Sequence, residues 1–200
     1  PQTENGENAA ESGKLQVEVL PTPTGFRGVL KGYQKLGFSW LAHMFEQGLN
    51  PLLCDQMGLG KTVQVIAFFQ HLFERVQAGP FLVVCPNSLL GNWVSEIKRF
   101  SDTLRVWPYW GSVGQRKTIR AGYAHLVHVR EALDAGADPG QFAAEELFGA
   151  RECPVHVVVT SYSLAVQDLR HLGRVPWLSI VLDEGQMIKS SETRRWAALM

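Results

Sequence analysis

The sequence predicts an α/β fold with a mostly parallel sheet covered by helices on both faces. Short runs that are apolar at nearly every position alternate with segments of helical spacing, the pattern of strands buried on both sides. One run, 155–160, is dominated by β-branched residues. A glycine-rich turn, Gly58-Leu59-Gly60-Lys61-Thr62, joins another run to a helix-like segment.

Taken in order, residues 1–27 are expected as a disordered or extended lead-in, because 1–14 are polar, rich in Glu, Asn and Gly, and without periodicity. Leu30, Tyr33, Leu36, Trp40, Leu41, Met44 and Phe45 recur at helical spacing and predict a helix over 30–47. Gly48 and Pro51 end it. The run 51–54 reads as a short strand entering the glycine-rich loop, and 61–76 as a helix terminated by Gly79-Pro80. The alternation continues with a strand at 81–85, a helix at 89–100 and a strand at 104–109. A strand at 155–160, a short helix at 163–172, a strand at 178–182 and a helix from Thr193 come next. Residues 121–150, rich in Ala and Gly and carrying Asp138-Pro139-Gly140, are expected as an insertion, either a helical hairpin or a loose loop. The domain so assembled spans 28–200.

Two hundred residues, 46% hydrophobic and 19% charged, suit one globular domain. The formal net charge of zero gives no sign of a nucleic-acid or acidic partner, although a local basic face can hide inside a neutral total. Cys54, Cys85 and Cys153 form no C-x-x-C pair, and two of them lie in apolar runs. Buried reduced thiols and a reducing compartment are expected. No apolar stretch approaches the ~18 residues of a membrane span. The first residue is not Met and the last lie in a helix-like pattern, so a piece of a longer protein is expected.

The glycine-rich turn carries the chemistry. Main-chain N–H groups of such a turn and of the helix start point at phosphate oxygens, and the helix dipole favours negative charge there. Gly58 and Gly60 permit the backbone angles and the close approach. Lys61 would reach the terminal phosphates, and the Thr62 hydroxyl would ligate Mg²⁺. The widest form of the motif has a further glycine where Asp55 stands here. A second site lies just past 178–182, expected as a buried strand that delivers Asp183-Glu184 at its carboxyl end, where open α/β sheets bind ligands. Alone, such a pair reads as a solvated turn. Behind a phosphate loop, Asp183 would hold Mg²⁺ and Glu184 would orient or deprotonate the attacking water.

These residues extend into a longer series. Tyr33-Gln34, the loop Asp55-Gln56-Met57-Gly58-Leu59-Gly60-Lys61-Thr62, the block from Val83 through Pro86 and Ser88 to Trp93, Val159-Thr160-Ser161-Tyr162 and Leu182-Asp183-Glu184-Gly185-Gln186 succeed one another. Together they resemble the first, RecA-like lobe of the SWI/SNF-like branch of the superfamily 2 helicase-like ATPases. Pro108-Tyr109-Trp110-Gly111, Gln186 and Ile188-Lys189-Ser190-Ser191 with Arg195-Trp196 resemble its inositol-requiring (INO-type) remodellers. The resemblance covers 28–120 and 154–200. It implies a double-stranded DNA translocase that uses ATP and Mg²⁺, acts on nucleosomes in the nucleus within a multi-subunit remodelling complex, and needs a second RecA-like lobe.

By the same resemblance Gln34 would read the adenine edge, and Asp55 to Thr62 would hold the phosphates. Gln186 would sense the terminal phosphate or link it to the second lobe. Pro86, Ser88, Thr160 and Ser161 would face the DNA backbone, and Trp93 is the one tryptophan expected against DNA rather than in the core. The arginine that completes phosphoryl transfer lies on the second lobe in such proteins, so these residues alone would hydrolyse ATP poorly. Three departures stand out: Gln56 replaces the usual Glu, Gly185 the usual Ala, and 121–150 is longer than in relatives. A superfamily 2 RNA or DNA helicase and a non-catalytic scaffold are the alternatives. The Pro86-to-Trp93 block and Gly185-Gln186 weigh against an RNA helicase, and intact Lys61, Thr62, Asp183 and Glu184 against the scaffold. The six histidines show no zinc-ligand spacing with the scattered cysteines.

Overall fold

Valine-rich segments with no polar side form the centre of the sheet, because every position in them finds apolar cover. They are β1 (Phe81–Cys85) and β3 (Val157–Ser161), buried throughout. The structure, a computed structural model, describes residues 17–76, 80–121 and 155–190, with isolated positions at 124, 135, 136, 197 and 199. β2 (Val106–Tyr109) and β4 (Ser179–Leu182) flank the central pair in the order β2-β3-β1-β4. Every pairing is parallel, with Cys85 opposite Ser161, Val84 opposite Leu182 and Tyr109 opposite Thr160.

Period-two alternation sends the strands' side chains into two cores. Phe81, Val83, Cys85, Val157 and Val159 pack with α1 (Gly32–Glu46), α2 (Lys61–Val76) and α3 (Leu90–Phe100). A stacked pair of rings, Phe69 on Phe81 at 4.4 Å, ties α2 to β1. Leu82, Val84, Val158 and Tyr109 form the second core. Its cover comes from Tyr162 and Ala165 of α5 (Tyr162–Gln167) and Leu172 of α6 (Leu169–Leu172). An amphipathic helix, α4 (Val113–Ala121), adds Ile119 at its margin. The central strands β1 and β3 are therefore covered on both faces, but β4, expected as a buried strand, is only partly covered among the described residues, with Ile180 46% exposed, because it lies at the sheet's edge.

The orientation of α2 fixes what lies at each end of the sheet. Near its C-terminus, Phe73 lies 4.5 Å from the ring of His156, just before β3, and Gln70 bonds Ser101 and Thr103, just before β2. That end is the amino edge of the strands. The helix start at Lys61 thus points to the carboxyl edge, about 18 Å along the helix from Phe73 at 1.5 Å per residue.

Several expectations change. The run 51–54 joins no strand ladder among the described residues, and Leu52 is 82% exposed. Its apolar composition is that of a strand, but a strand also needs a hydrogen-bonding neighbour, and the described residues supply none. Cys54, expected buried, is exposed with that run, whereas Cys85 is buried. The expected helix 163–172 is two short helices, split where Asp168 leaves helical geometry at φ −103° and ψ 18°. Within the lead-in, 1–16 fall outside the described residues, but 17–27 are an extended strap tied to the domain. Leu20 N–H donates to Ser39 Oγ, Thr24 and Gly25 N–H donate to Glu74, and Phe26 stacks on Phe100. The expected insertion at 121–150 lies outside the described residues but for 121, 124, 135 and 136, as do the helix from 193 apart from 197 and 199, and Cys153.

A buried ion pair clamps the second core. Asp168 Oδ2 accepts from Arg116 Nε at 2.6 Å and from the Tyr109 hydroxyl at 2.7 Å. Burial alone would raise the Asp168 carboxyl's pKa, but hydrogen bonds from Arg116 and Tyr109, with the charges of Arg116 and Arg120, hold it below the usual carboxylate range. A depressed folded-state pKa contributes stability above the unfolded value and loses it as pH falls through the folded one. Asp168→Asn should cost about 3 kcal/mol at neutral pH by leaving Arg116 buried without its partner. It should also flatten the loss of stability in acid, as urea unfolding at neutral and acidic pH will show.

Candidate functional site

The loop before α2 is shaped by its glycines. Gly58 (φ 84°) and Gly60 (φ 75°) occupy the left-handed region. A Cβ on Gly60 would sit 2.6 Å from Gln34 Nε2, while one on Gly58 would meet nothing within 4 Å. Gly60 is thus required by angle and by packing, and Gly58 fronts open space. Lys61 Nζ donates back across the loop to the carbonyls of Asp55 (2.7 Å) and Gln56 (3.3 Å). Asp55 is held in turn by Gln64 Nε2 at 3.1 Å. Thr62 is half-buried on the first turn of α2, and Met57 is fully open.

Gln34 lies against this loop with both ends of its amide engaged. Its Nε2 donates to Leu59 O at 3.2 Å and its Oε1 accepts from Lys31 N–H at 3.0 Å. The residue expected to face a base therefore also braces the loop. Beside it runs a groove of about 770 Å³, lined by Tyr33, Leu36, Trp40, Leu53, Cys54 and Leu59.

Asp183 and Glu184 leave β4 at the carboxyl edge, the edge to which Lys61 also points. Asp183 is fixed at four atoms. Its N–H donates to Val84 O at 2.9 Å, and its carbonyl accepts from the Tyr162 hydroxyl at 2.7 Å. Its Oδ1 accepts from Glu184 N–H at 3.0 Å and its Oδ2 from Trp93 Nε1 at 2.8 Å. Glu184 is the one non-glycine residue with positive φ among the described residues (φ 55°, ψ 52°). Left-handed geometry of this kind costs on the order of 1 kcal/mol and concentrates at functional sites. The Gln186 amide donates to the Glu184 carboxylate, so the two residues meet. Gly185 has no positive φ, and a Cβ there would meet nothing, so alanine would fit equally well. Burial, with the Asp183 charge adding to it, pushes the nearby Cys85 thiol up to about 12, which leaves it an inert neutral group.

The residues expected against DNA divide. Pro86 and Ser88 sit at the carboxyl edge, with Ser88 exposed in the 3-10 turn Asn87–Leu89. Thr160 is 0% exposed and its hydroxyl donates to Tyr109 O. Ser161 is 2% exposed and caps α5, accepting from Leu164 N–H. Trp93 is 2% exposed and faces Asp183. These three side chains are turned inward, because the sheet end and the helix start need their hydrogen bonds, so none of the three presents a contact surface.

Two brace residues carry no role in the sequence reading. Gln64 is fully buried on α2, and Tyr162 is 2% exposed on α5. A signal for the first exists: a glutamine three residues after Lys61, within the otherwise apolar face of a helix, needs a polar partner inside. Tyr162 carries no comparable mark, because an aromatic after a strand reads as core.

The family profile of the SNF2-related domain matches residues 33–200. The chain is 45% identical over 184 residues to a human protein named chromatin-remodeling ATPase INO80, covering 92% of this chain and 10% of that protein. Its Drosophila melanogaster namesake is 40% identical over 198 residues, covering 98% of this chain and 11% of that one. The chain thus spans about a tenth of the length of these relatives. Among solved structures, the SWI2/SNF2 ATPase core of Sulfolobus solfataricus in complex with double-stranded DNA superposes with a TM-score of 0.66. It is 29% identical, covering 90% of this chain and 31% of that one. With its loop, acid pair and sheet order in place and a profile matched from Tyr33 to its last residue, the chain belongs to the SNF2-related domain family.

Proposed function

We propose that the chain is the ATP-binding first lobe of a chromatin-remodelling ATPase that translocates on double-stranded DNA. The observation that carries this reading is that α2 meets the strands' amino edge with its C-terminal half, which turns its start at Lys61 towards the carboxyl edge where Asp183-Glu184 leave β4. The names of the INO80 relatives and the duplex bound to the Sulfolobus core support the substrate side. On this reading the protein works in the nucleus on nucleosomes, within a multi-subunit complex, and with a second RecA-like lobe.

The residues present fit Mg-ATP. The acceptors of the Lys61 ammonium are main-chain carbonyls rather than carboxylates, so an anion would find its charge uncompensated. A Cβ at Gly58 would meet nothing within 4 Å, so the loop is open there. Each Asp183 carboxylate oxygen accepts one hydrogen bond and keeps lone-pair capacity. Thr62 and Asp183 would hold Mg²⁺, which would neutralise charge on the phosphates. Gln34 and the loop Asp55 to Thr62 bind and orient the nucleotide. Lys61 releases the loop carbonyls and turns to the phosphates, and Glu184, steadied by Gln186, takes the proton of the attacking water.

In the full-length protein, Glu184→Gln should retain ATP binding while kcat falls roughly 10²- to 10⁴-fold. Lys61→Ala should lose ATP binding itself, and isothermal titration beside a phosphate-release assay separates the two. Equal hydrolysis by wild type and Glu184→Gln would reject the catalytic assignment. Duplex DNA and nucleosomes should stimulate the wild-type rate and RNA should not; stimulation by RNA alone would make the protein an RNA helicase instead.

A further inference from the structure

We infer that Trp93 is a positioning residue for the metal-holding acid, acting through its indole N–H on Asp183. This rests on the reading of Asp183 as the Mg²⁺ ligand. The indole is 2% exposed and donates to Asp183 Oδ2 at 2.8 Å across 90 residues of sequence. Any buried indole N–H needs an acceptor, and a main-chain carbonyl is enough: Trp177 Nε1 uses Leu172 O at 2.7 Å. Trp93 instead donates to a carboxylate, a charge-assisted bond about twice as strong as a neutral one. With Oδ1 held by Glu184 N–H and Oδ2 by Trp93, the carboxylate plane cannot rotate, and the remaining lone pairs keep one direction. Trp93 also lies in the same core as α2, through Val65, Ile66 and Phe69, so the donor is as rigid as the helix that carries Lys61. Partners of this kind orient metal ligands, and their loss weakens metal binding.

The test measures binding of a fluorescent ATP analogue to the full-length protein, with Mg²⁺ titrated and in EDTA. Trp93→Phe removes the donor, and 3-benzothienylalanine replacing Trp93 removes it at nearly constant shape, so the result does not hinge on core packing. Both should raise the Mg²⁺ concentration at half-effect roughly tenfold, with affinity in EDTA unchanged. The benzothienyl variant should keep the wild-type fold by circular dichroism, its melting temperature falling only by the share of the lost hydrogen bond. Asp183→Asn should abolish the Mg²⁺ effect, and adding Trp93→Phe to it should change nothing further. An unchanged Mg²⁺ dependence in both Trp93 variants, beside a loss in Asp183→Asn, would overturn this inference and leave the reading of Asp183 standing. A further change in the double variant would also overturn it. If Asp183→Asn keeps the Mg²⁺ effect, the reading of Asp183 fails first and this inference fails with it.

Discussion

Parallel strands hidden on both faces have one place left for chemistry, the edge where they end. β1 and β3 give up both faces to apolar packing, so neither can present a reactive side chain from its middle. Reactive groups must come from the residues just beyond Cys85, Ser161 and Leu182 on that edge, and from the helix that points back to it. Parallel register makes this a shared edge. Cys85 pairs with Ser161 and Val84 with Leu182, so Pro86, Tyr162 and Asp183 leave the sheet at nearly one level. Even the first acid is still within the ladder's reach, through its N–H on Val84 O.

The site on that edge is braced by polar groups drawn from the interior. Gln64 holds Asp55, Gln34 holds Leu59, and Tyr162 and Trp93 hold Asp183. Each brace comes from a different stretch of chain, so the loop and the acid pair are located relative to the whole domain and not merely to their own neighbours. Such preorganisation is how a fold keeps charged groups oriented before a ligand arrives. The left-handed Glu184 fits this picture. Its backbone is held away from the ordinary minimum by the ladder on one side and the 3-10 turn Gly185–Ile188 on the other.

Period and composition made the sheet legible: β1, β3 and β4 and the helices α1 to α3 all fall within two residues of where the apolar spacing puts them. The loop and the acid pair were legible because glycine, lysine and paired carboxylates have few structural uses in that sequence context. What escaped was the direction in which ordinary side chains point. Thr160 alternates with Val158, so strand periodicity already turned it to the second core, and the hydroxyl made it look like a surface group. Ser161 looked equally available until the start of α5 required a cap. The run 51–54 failed for another reason, since pairing is a property of two segments and only one was in view.

The inward turn of Trp93 also changes how α3 relates to the site. The helix comes directly after the turn that exposes Ser88, and Trp93 lies on its first turn, about 5.4 Å long. The far end of the helix is anchored by Ile97, which is 0% exposed, and the helix shares its core with α2. A close-packed helix moves as a body and does not bend smoothly around one side chain. A ligand that shifted the Pro86-to-Leu89 turn would therefore shift the indole as well, and with it the carboxylate that the indole holds. The sheet edge is a single surface for this reason: its outer turn and Asp183 are joined by one hydrogen bond from one buried ring.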